Sequence, residues 1–524
     1  MHLRSSVMSI SRTHAVALNG TQGVVVEVEV NVTRGATRTQ ILGLRDTVLS
    51  ECRDRARAAA YNSGHRWPDG NVTVGLSPAW VRKEGSAFDL AVAVAALTAE
   101  GAIGQIALAG AVFLAELCLD GRLRPVRGVL PAALAARDHG LTRILVAEPN
   151  ALEASQISGL EVHGMRSLAQ VVALLQGTEI PDAEPLPLDT GPRTGPLRPV
   201  RPLPDMADVL GQYDARRALE VAAAGGHHLL LAGAPGAGKT LLAERLPSIL
   251  PPLDESAALE VSSLHSIAGT LPWEKPLITD PPYQSVHHTC TVAGMVGGGT
   301  GRILPGAISR AHHGVLFADE IPEMQRAVLE ALREPLEAGE IVIARATGTV
   351  VFPARFLLVA AMNPCPCGRA GTAGGQCTCT PDARRRYTQK LSGPFLDRID
   401  LRLAVHPVGR AELFGALPGE SSADVRDRVL EARARATHRY ADRPWSTNAQ
   451  IPGSALRAEF APTPASLTDI DARYQAGTLT ARGYDRLLRV AWTLADLTGR
   501  PRPGPDEVAT ALAFRQGLPG QLAT

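Results

Sequence analysis

The sequence predicts a multidomain α/β protein. A P-loop core, built as a doubly wound parallel sheet, stands between an N-terminal α/β domain and a C-terminal α-helical domain. Three observations predict this. Gly233-Ala234-Pro235-Gly236-Ala237-Gly238-Lys239-Thr240 follows an apolar run, Leu229–Ala232, and precedes Leu241–Leu246, the strand, glycine loop and helix of a phosphate-binding loop. About 80 residues later a second apolar run, Val315–Ala318, ends on two carboxylates, Asp319 and Glu320. Between residues 177 and 204 proline is too dense for helix or central strand, so a stiff linker separates the N-terminal domain from the P-loop core.

At 524 residues the chain is long enough for about three domains. Its net charge of +1 gives no global field toward nucleic acid or membrane, so any contact with DNA must come from local basic loops. The most apolar stretch, Leu90 to Leu119, is broken by Glu100, Gln105 and Glu116. It falls short of the about 20 uninterrupted residues of a membrane span and reads as buried helix and strand. The first residues lack the apolar core of a signal peptide, and a cytoplasmic protein is expected. Its 7 cysteines then form no disulfide framework; Cys52, Cys118 and Cys290 read as packed thiols.

Residues 1–176 form the first expected domain. Val24–Val30 is β-branched and reads as a strand, Asp46–Tyr61 as a polar helix, Asn71–Leu76 as a strand and Phe88–Ala99 as a buried helix. Gly110–Leu119, Ala132–Arg137 and Ile144–Val146 continue the alternation. The runs KEGSAFDLAVAVAALTAEG (83–101) and AELCLDGRLRPVRGVLPAA (115–133) resemble the Lon-protease-type domain at the front of the ComM/YifB magnesium-chelatase-like ATPases. Lon-type proteolysis needs a serine nucleophile and a lysine base in contact. In that alignment the serine's place falls on Ala87, beside Ser86, and the lysine's on Val129 and Leu130. The domain is therefore expected to be structural or partner-binding, without a catalytic dyad.

The core is expected over residues 205–410. Asp208-Val209-Leu210-Gly211-Gln212 ahead of the P-loop resembles the entry segment of AAA+ ATPases. Glycines at 233, 236 and 238 let successive N–H groups curl around phosphate oxygens, and the P-loop helix aims its positive end at the same anion. Lys239 supplies charge to the β- and γ-phosphates; Thr240 offers a hydroxyl to Mg²⁺. Asp319 would hold that Mg²⁺ through water, and Glu320 would orient and deprotonate the attacking water. Phe356–Met362 reads as a further strand ending on Asn363, which resembles the sensor-1 residue of AAA+ proteins. In SGPFLDRIDL (392–401) Arg398 resembles an arginine finger acting in a neighbour's ATP site. The bland alternative is that Arg398 only pairs with Asp397 or Asp400.

The helical C-terminal domain is expected from 411 to 524. Residues 480–489 open a helix with apolar positions 487, 488, 491, 494 and 497, and Arg482 at its start resembles the sensor-2 arginine of the helix-2-insert AAA+ group. Residues 421–440 read as a charged helix with a solvated face. Two insertions carry basic residues: the glycine run 297–299 with Arg302, and a hairpin turning near Gly348 with Arg345 on its first arm. In the resembling helicases such hairpins face a pore and grip DNA, whereas a plain surface hairpin is the alternative.

Cys365-Pro366-Cys367 and Cys377-Thr378-Cys379 bring four thiols together across one short loop. Cys₄ ligation suits structural Zn²⁺; an iron–sulfur cluster, a redox pair or free thiols remain open. NPCPCG (363–368) is also a ComM/YifB motif, and the resemblance now spans nearly the whole chain. It implies an ATP- and Mg²⁺-dependent homohexameric ring acting on single-stranded or branched DNA, as helicase or branch-migration motor in DNA uptake and recombination. Two other classes stand beside it: a magnesium-chelatase motor subunit, and a regulatory ATPase remodelling protein through its front domain.

Overall fold

The computed structural model describes residues 9–43, 46–83, 85–185, 203–299, 302–345, 348–370, 377–409, 412 and 419–516. The expected linker, 177–204, lies largely outside them, as does the expected boundary near 410. Among the described residues no helix is long and apolar enough to cross a membrane.

The first sheet has seven strands, in the spatial order Arg38–Leu42, Asn71–Ser77, Gln22–Thr33, Ser9–Asn19, Ala111–Leu114, Arg143–Ala147 and Glu161–Met165. Ser9–Asn19 is its hinge: antiparallel to Gln22–Thr33 on one side, parallel to Ala111–Leu114 on the other. Every residue of the helix Asp89–Ala99 is buried, so its Ala/Val/Leu composition makes no amphipathic stripe and reflects an interior position. It packs on Ser9–Asn19 and Gln22–Thr33, where Ser11 and Thr13 hydroxyls donate to the carbonyls of Ala95 and Ala91.

The second sheet has five strands, all parallel, in the order Tyr283–Val286, Val315–Ala318, Leu357–Met362, Leu229–Gly233 and Leu401–Val405. The three central strands are buried along their whole length, as a parallel sheet covered on both faces requires. The first strand in chain order is flanked by the fourth and fifth, which puts the connection after Gly233 at a topological switch point. The P-loop, the Asp319–Glu320 pair and Asn363 all leave the carboxyl ends of these strands.

Beyond residue 419 the described chain is helical. In Ala481–Thr498 the positions 487, 488, 491 and 494 are buried, as their spacing predicts. The helix Ser422–Arg439 departs from expectation: it is not merely a solvated face. Val425, Val429, Ala432 and Ala436 form a buried stripe hidden within a charged composition, and Arg433 donates to the Ala223 carbonyl at 2.6 Å. The same helix joins the P-loop helix through the Ser422 and Ser248 hydroxyls, 2.7 Å apart. The segment between Glu320 and the hairpin forms no continuous helix. The segment breaks into Ile321–Glu323, Arg326–Ala331 and Pro335–Ala338, because Pro335 cannot donate to an uninterrupted ladder.

The two sheets meet through the helices Val129–Asp138 and Glu255–Ala268. Glu153 sits in this seam, accepting from the Ser266 hydroxyl and from the backbone N–H of Leu130 at 2.9 Å. Burial pushes its carboxyl pKa up, and these donors oppose the rise.

Candidate active site

The P-loop turns at the end of Leu229–Gly233. Gly236 and Gly238 hold φ of 78° and 92°, the left-handed region that side chains enter at a cost. At Gly233 a Cβ would collide with the Val405 carbonyl of the adjacent strand. Turn geometry and close backbone approach therefore both demand glycine here. The helix Lys239–Ile249 opens directly into the loop, and Thr240 is exposed at its first turn. Ala234, Pro235 and Ala237 complete the curve between the glycines.

Lys239 is 8% exposed, and three acceptors hold its ammonium: the carbonyls of Gly233 at 2.6 Å and Ala234 at 3.0 Å, and Asn363 Oδ1 at 3.1 Å. Burial lowers its pKa, and the charges of Asp319 and Glu320 work against that. The structure thus brings Lys239, Asn363, Asp319 and Glu320 to one mouth, from three different strand ends. Asp319 fixes the turn by accepting the Glu320 N–H at 2.9 Å. Glu320 itself holds φ 48°, a conformation that costs a non-glycine residue roughly 1–2 kcal/mol. Such strain at a carboxylate is typical of a group aimed for function.

Two residues with no role assigned from sequence touch that carboxylate. His288 Nδ1 lies 2.7 Å from Glu320 Oε2, and His287 Nε2 lies 3.8 Å from it. Both follow the edge strand Tyr283–Val286, which pairs with Val315–Ala318 and so delivers them beside Glu320. The His-His pair is visible in the sequence, but its strand is short and only one of its four residues is buried, leaving no apolar pattern to announce it. Gln212, the last residue of the entry segment, also reaches the P-loop. Its side-chain amide donates to the carbonyls of Ala237 at 3.1 Å and His406 at 2.5 Å, tying the entry segment to the P-loop.

Arg398 and Arg482 are elsewhere. Arg398 precedes the strand Leu401–Val405, which runs parallel to the P-loop strand, so it lies at the opposite end of the sheet. A strand of this length separates it from Lys239, about 15 Å. Arg482 meets it there: Glu337 Oε1 lies 2.6 Å from Arg398 Nη2 and 3.5 Å from Arg482 Nη1. Neither Asp397 nor Asp400 takes Arg398; they pair with Arg515 at 3.6 Å and Arg486 at 2.6 Å.

The four-cysteine loop stands against the P-loop. A Cβ at Gly368 would come within 2.7 Å of the Pro235 ring. The Sγ atoms of Cys365, Cys367 and Cys377 are 3.4, 3.6 and 3.7 Å apart, and Cys379 completes the group. Disulfide sulfurs would be at about 2.05 Å. Four sulfurs at about 2.3 Å from one tetrahedral Zn²⁺ would stand about 3.8 Å apart, close to what is found. The Arg369 backbone N–H does most to draw the Cys367 thiol down to about 6, while the Cys379 thiol of the same group is raised to about 11. The connecting residues 371–376 lie outside the described part.

Among the basic loop residues, Arg345 is exposed on the hairpin Glu340–Arg345/Gly348–Pro353. The glycine run lies beside it: a Cβ at Gly298 would stand 3.2 Å from Arg345 Nη2. Arg302 is turned toward the first domain and donates to the Arg127 carbonyl at 3.4 Å. It lines a cavity of about 360 Å³ together with Ala87, Val129 and the hairpin residues Gly348–Val350. Among the described residues, the cavity lining holds no serine, cysteine, lysine or histidine. Ser86 instead donates to the Glu116 carboxylate.

Comparison with known families matches three successive regions of the chain to three family models. Residues 28–150 match the model described as subunit ChlI of Mg-chelatase, residues 205–413 magnesium chelatase, subunit ChlI, and residues 419–515 its C-terminal region. An uncharacterized protein of Mycobacterium tuberculosis is 48% identical, over 97% of this chain and 99% of its own. Competence protein ComM of Haemophilus influenzae is 38% identical over 97% of this chain and 98% of its own. YifB of Escherichia coli is 39% identical over 94% of each.

Proposed function

The chain belongs to the ComM/YifB magnesium-chelatase-like family, and from that premise we propose that it is an ATP-driven ring motor acting on DNA. The family supports an AAA+-type ATPase using ATP and Mg²⁺. One observation carries the step from ATPase to ring. Lys239, Asn363, Asp319 and Glu320 gather at the carboxyl ends of the strands, while Arg398 and Arg482 gather at the opposite ends. Copies placed head to tail would bring one chain's P-loop against the next chain's arginines, and such heterologous contacts form a ring when the rotation between copies closes and a filament when it does not. Lys239 and the P-loop N–H groups bind the phosphates, and Glu320 takes the proton of the attacking water. Arg398 and Arg482 of the adjoining copy steady the charge developing on the transferred phosphoryl group. Thr240 and Asp319 would hold Mg²⁺, which when bound neutralises phosphate charge.

The DNA assignment draws on the relative whose name is competence protein, together with the exposed Arg345 beside the glycine run. The first domain is assigned a Lon-like, non-proteolytic role, contacting the hairpin through the Arg302 seam; the C-terminal helices are assigned the lid. Particle mass with and without ATP, and ATP hydrolysis with and without single-stranded and branched DNA, test the reading. An ATP-dependent hexamer stimulated by DNA is expected. A hexamer indifferent to DNA but responsive to a protein partner would favour the protein-remodelling alternative.

The four thiols are assigned a structural Zn²⁺. Metal analysis of the purified protein is expected to give about one zinc per chain, and Cys365→Ser to lose most of it. Because Gly368 bears on Pro235, the same variant is expected to raise the half-saturating ATP concentration. Unchanged metal content in that variant would remove the cluster from its role.

A further inference from the structure

Arg398 is 6% exposed, and a buried guanidinium without an anion would be costly. Its Nη1 donates to the Pro394 carbonyl at 2.5 Å, and its Nη2 lies 2.6 Å from Glu337 Oε1. That cleft, about 670 Å³, is lined by a group of arginines. Three of the six are accounted for within the chain. Arg486 pairs with Asp400 at 2.6 Å, Arg433 donates to the Ala223 carbonyl and Arg489 to that of Ile451 at 2.9 Å. Arg398 and Arg482 are different: both reach one oxygen of one carboxylate, Glu337 Oε1.

Two guanidiniums on one carboxylate leave the pair of cations short of negative charge. Glu337 is also poorly secured. It lies in a four-residue helix, Pro335–Ala338, and its side chain is 49% exposed, so it can rotate into water at little cost. Arg398 cannot follow it. We propose that Glu337 is a built-in placeholder anion, holding Arg398 and Arg482 in the free chain and giving way to the terminal phosphate of ATP bound by a second copy. The placeholder rests on the shared-site reading. It makes Glu337 a positioning residue: it keeps the two arginines aimed into the cleft, and it sets how much ATP is needed before neighbours engage. A phosphate group carries more charge and more acceptor oxygens than the carboxylate, so exchange favours the bound neighbour.

Full-length wild type, Glu337→Gln and Glu337→Asp are titrated with ATP while particle mass and hydrolysis are followed. Glu337→Gln removes the competing charge at constant size. It is expected to lower the ATP concentration at half-assembly about two- to fivefold, and the KM for hydrolysis in the same direction. Glu337→Asp keeps the charge on a shorter arm and is expected to fall between. An unmoved or raised half-point in Glu337→Gln, beside a wild type that assembles, removes the placeholder and leaves the shared site standing. A wild type that never assembles with ATP overturns both.

Discussion

Glu320→Gln is expected to bind ATP and scarcely turn it over, with kcat lowered about 10²–10⁴-fold and affinity for ATP retained or tightened. The strand Val315–Ala318 delivers Glu320 in a left-handed backbone conformation, and Asp319 pins the turn by accepting its N–H. The substitution keeps the shape and the turn but removes the only property that lets the residue accept a proton. The P-loop contacts of Lys239 do not involve Glu320 and persist. Rapid mixing with radiolabelled ATP, separating bound from hydrolysed nucleotide, checks this. Turnover near wild type in Glu320→Gln would remove the residue from its role and leave its contact with His288 a structural meaning only.

Arg398→Ala is expected to cost about 10³-fold or more in kcat while ATP still binds. The polar partners of Arg398 among the described residues lie away from its own P-loop, so nucleotide affinity measured on isolated chains should hardly change. The guanidinium is buried and paired, and truncation also leaves Glu337 facing Arg482 alone. Arg398→Lys controls for this: it keeps a charge without the planar fork and is expected to recover folding but little of the rate. Equal kcat in Arg398→Ala and wild type, both shown to assemble, would count against an arginine acting across the junction.

Much of the site is legible in the sequence because its chemistry is bound to local pattern. The P-loop glycines, Lys239, Asp319, Glu320 and Asn363 each follow an apolar strand, and strand ends in a parallel sheet converge without further instruction. The four cysteines are legible for the same reason, lying within one loop. His287 and His288 are not, since their edge strand is short, half-buried and carries no run of buried residues. Ser9–Asn19 is hidden too, although it is the hinge of the first sheet; its polar Ser11 and Thr13 are buried against helix carbonyls rather than marked by hydrophobicity. Glu337 cannot be found from sequence at all. Its meaning comes from a long-range meeting of Arg398 and Arg482, far apart in the chain, on a carboxylate in a broken helix. Composition also misleads: the arginine-rich helix Ser422–Arg439 reads as solvated, yet it packs a valine–alanine stripe onto the P-loop helix.

The central claim is that each ATP is cut with groups from two chains. Lys239→Ala chains lack a working pocket but keep Arg398; Arg398→Ala chains keep the pocket but lack the arginine. Hydrolysis by an equimolar mixture of the two measures the claim directly. In a random ring about a quarter of the junctions pair an intact pocket with an intact arginine, so activity well above either variant alone is predicted. A mixture that forms rings and yet hydrolyses ATP no faster than its parts would contradict the account.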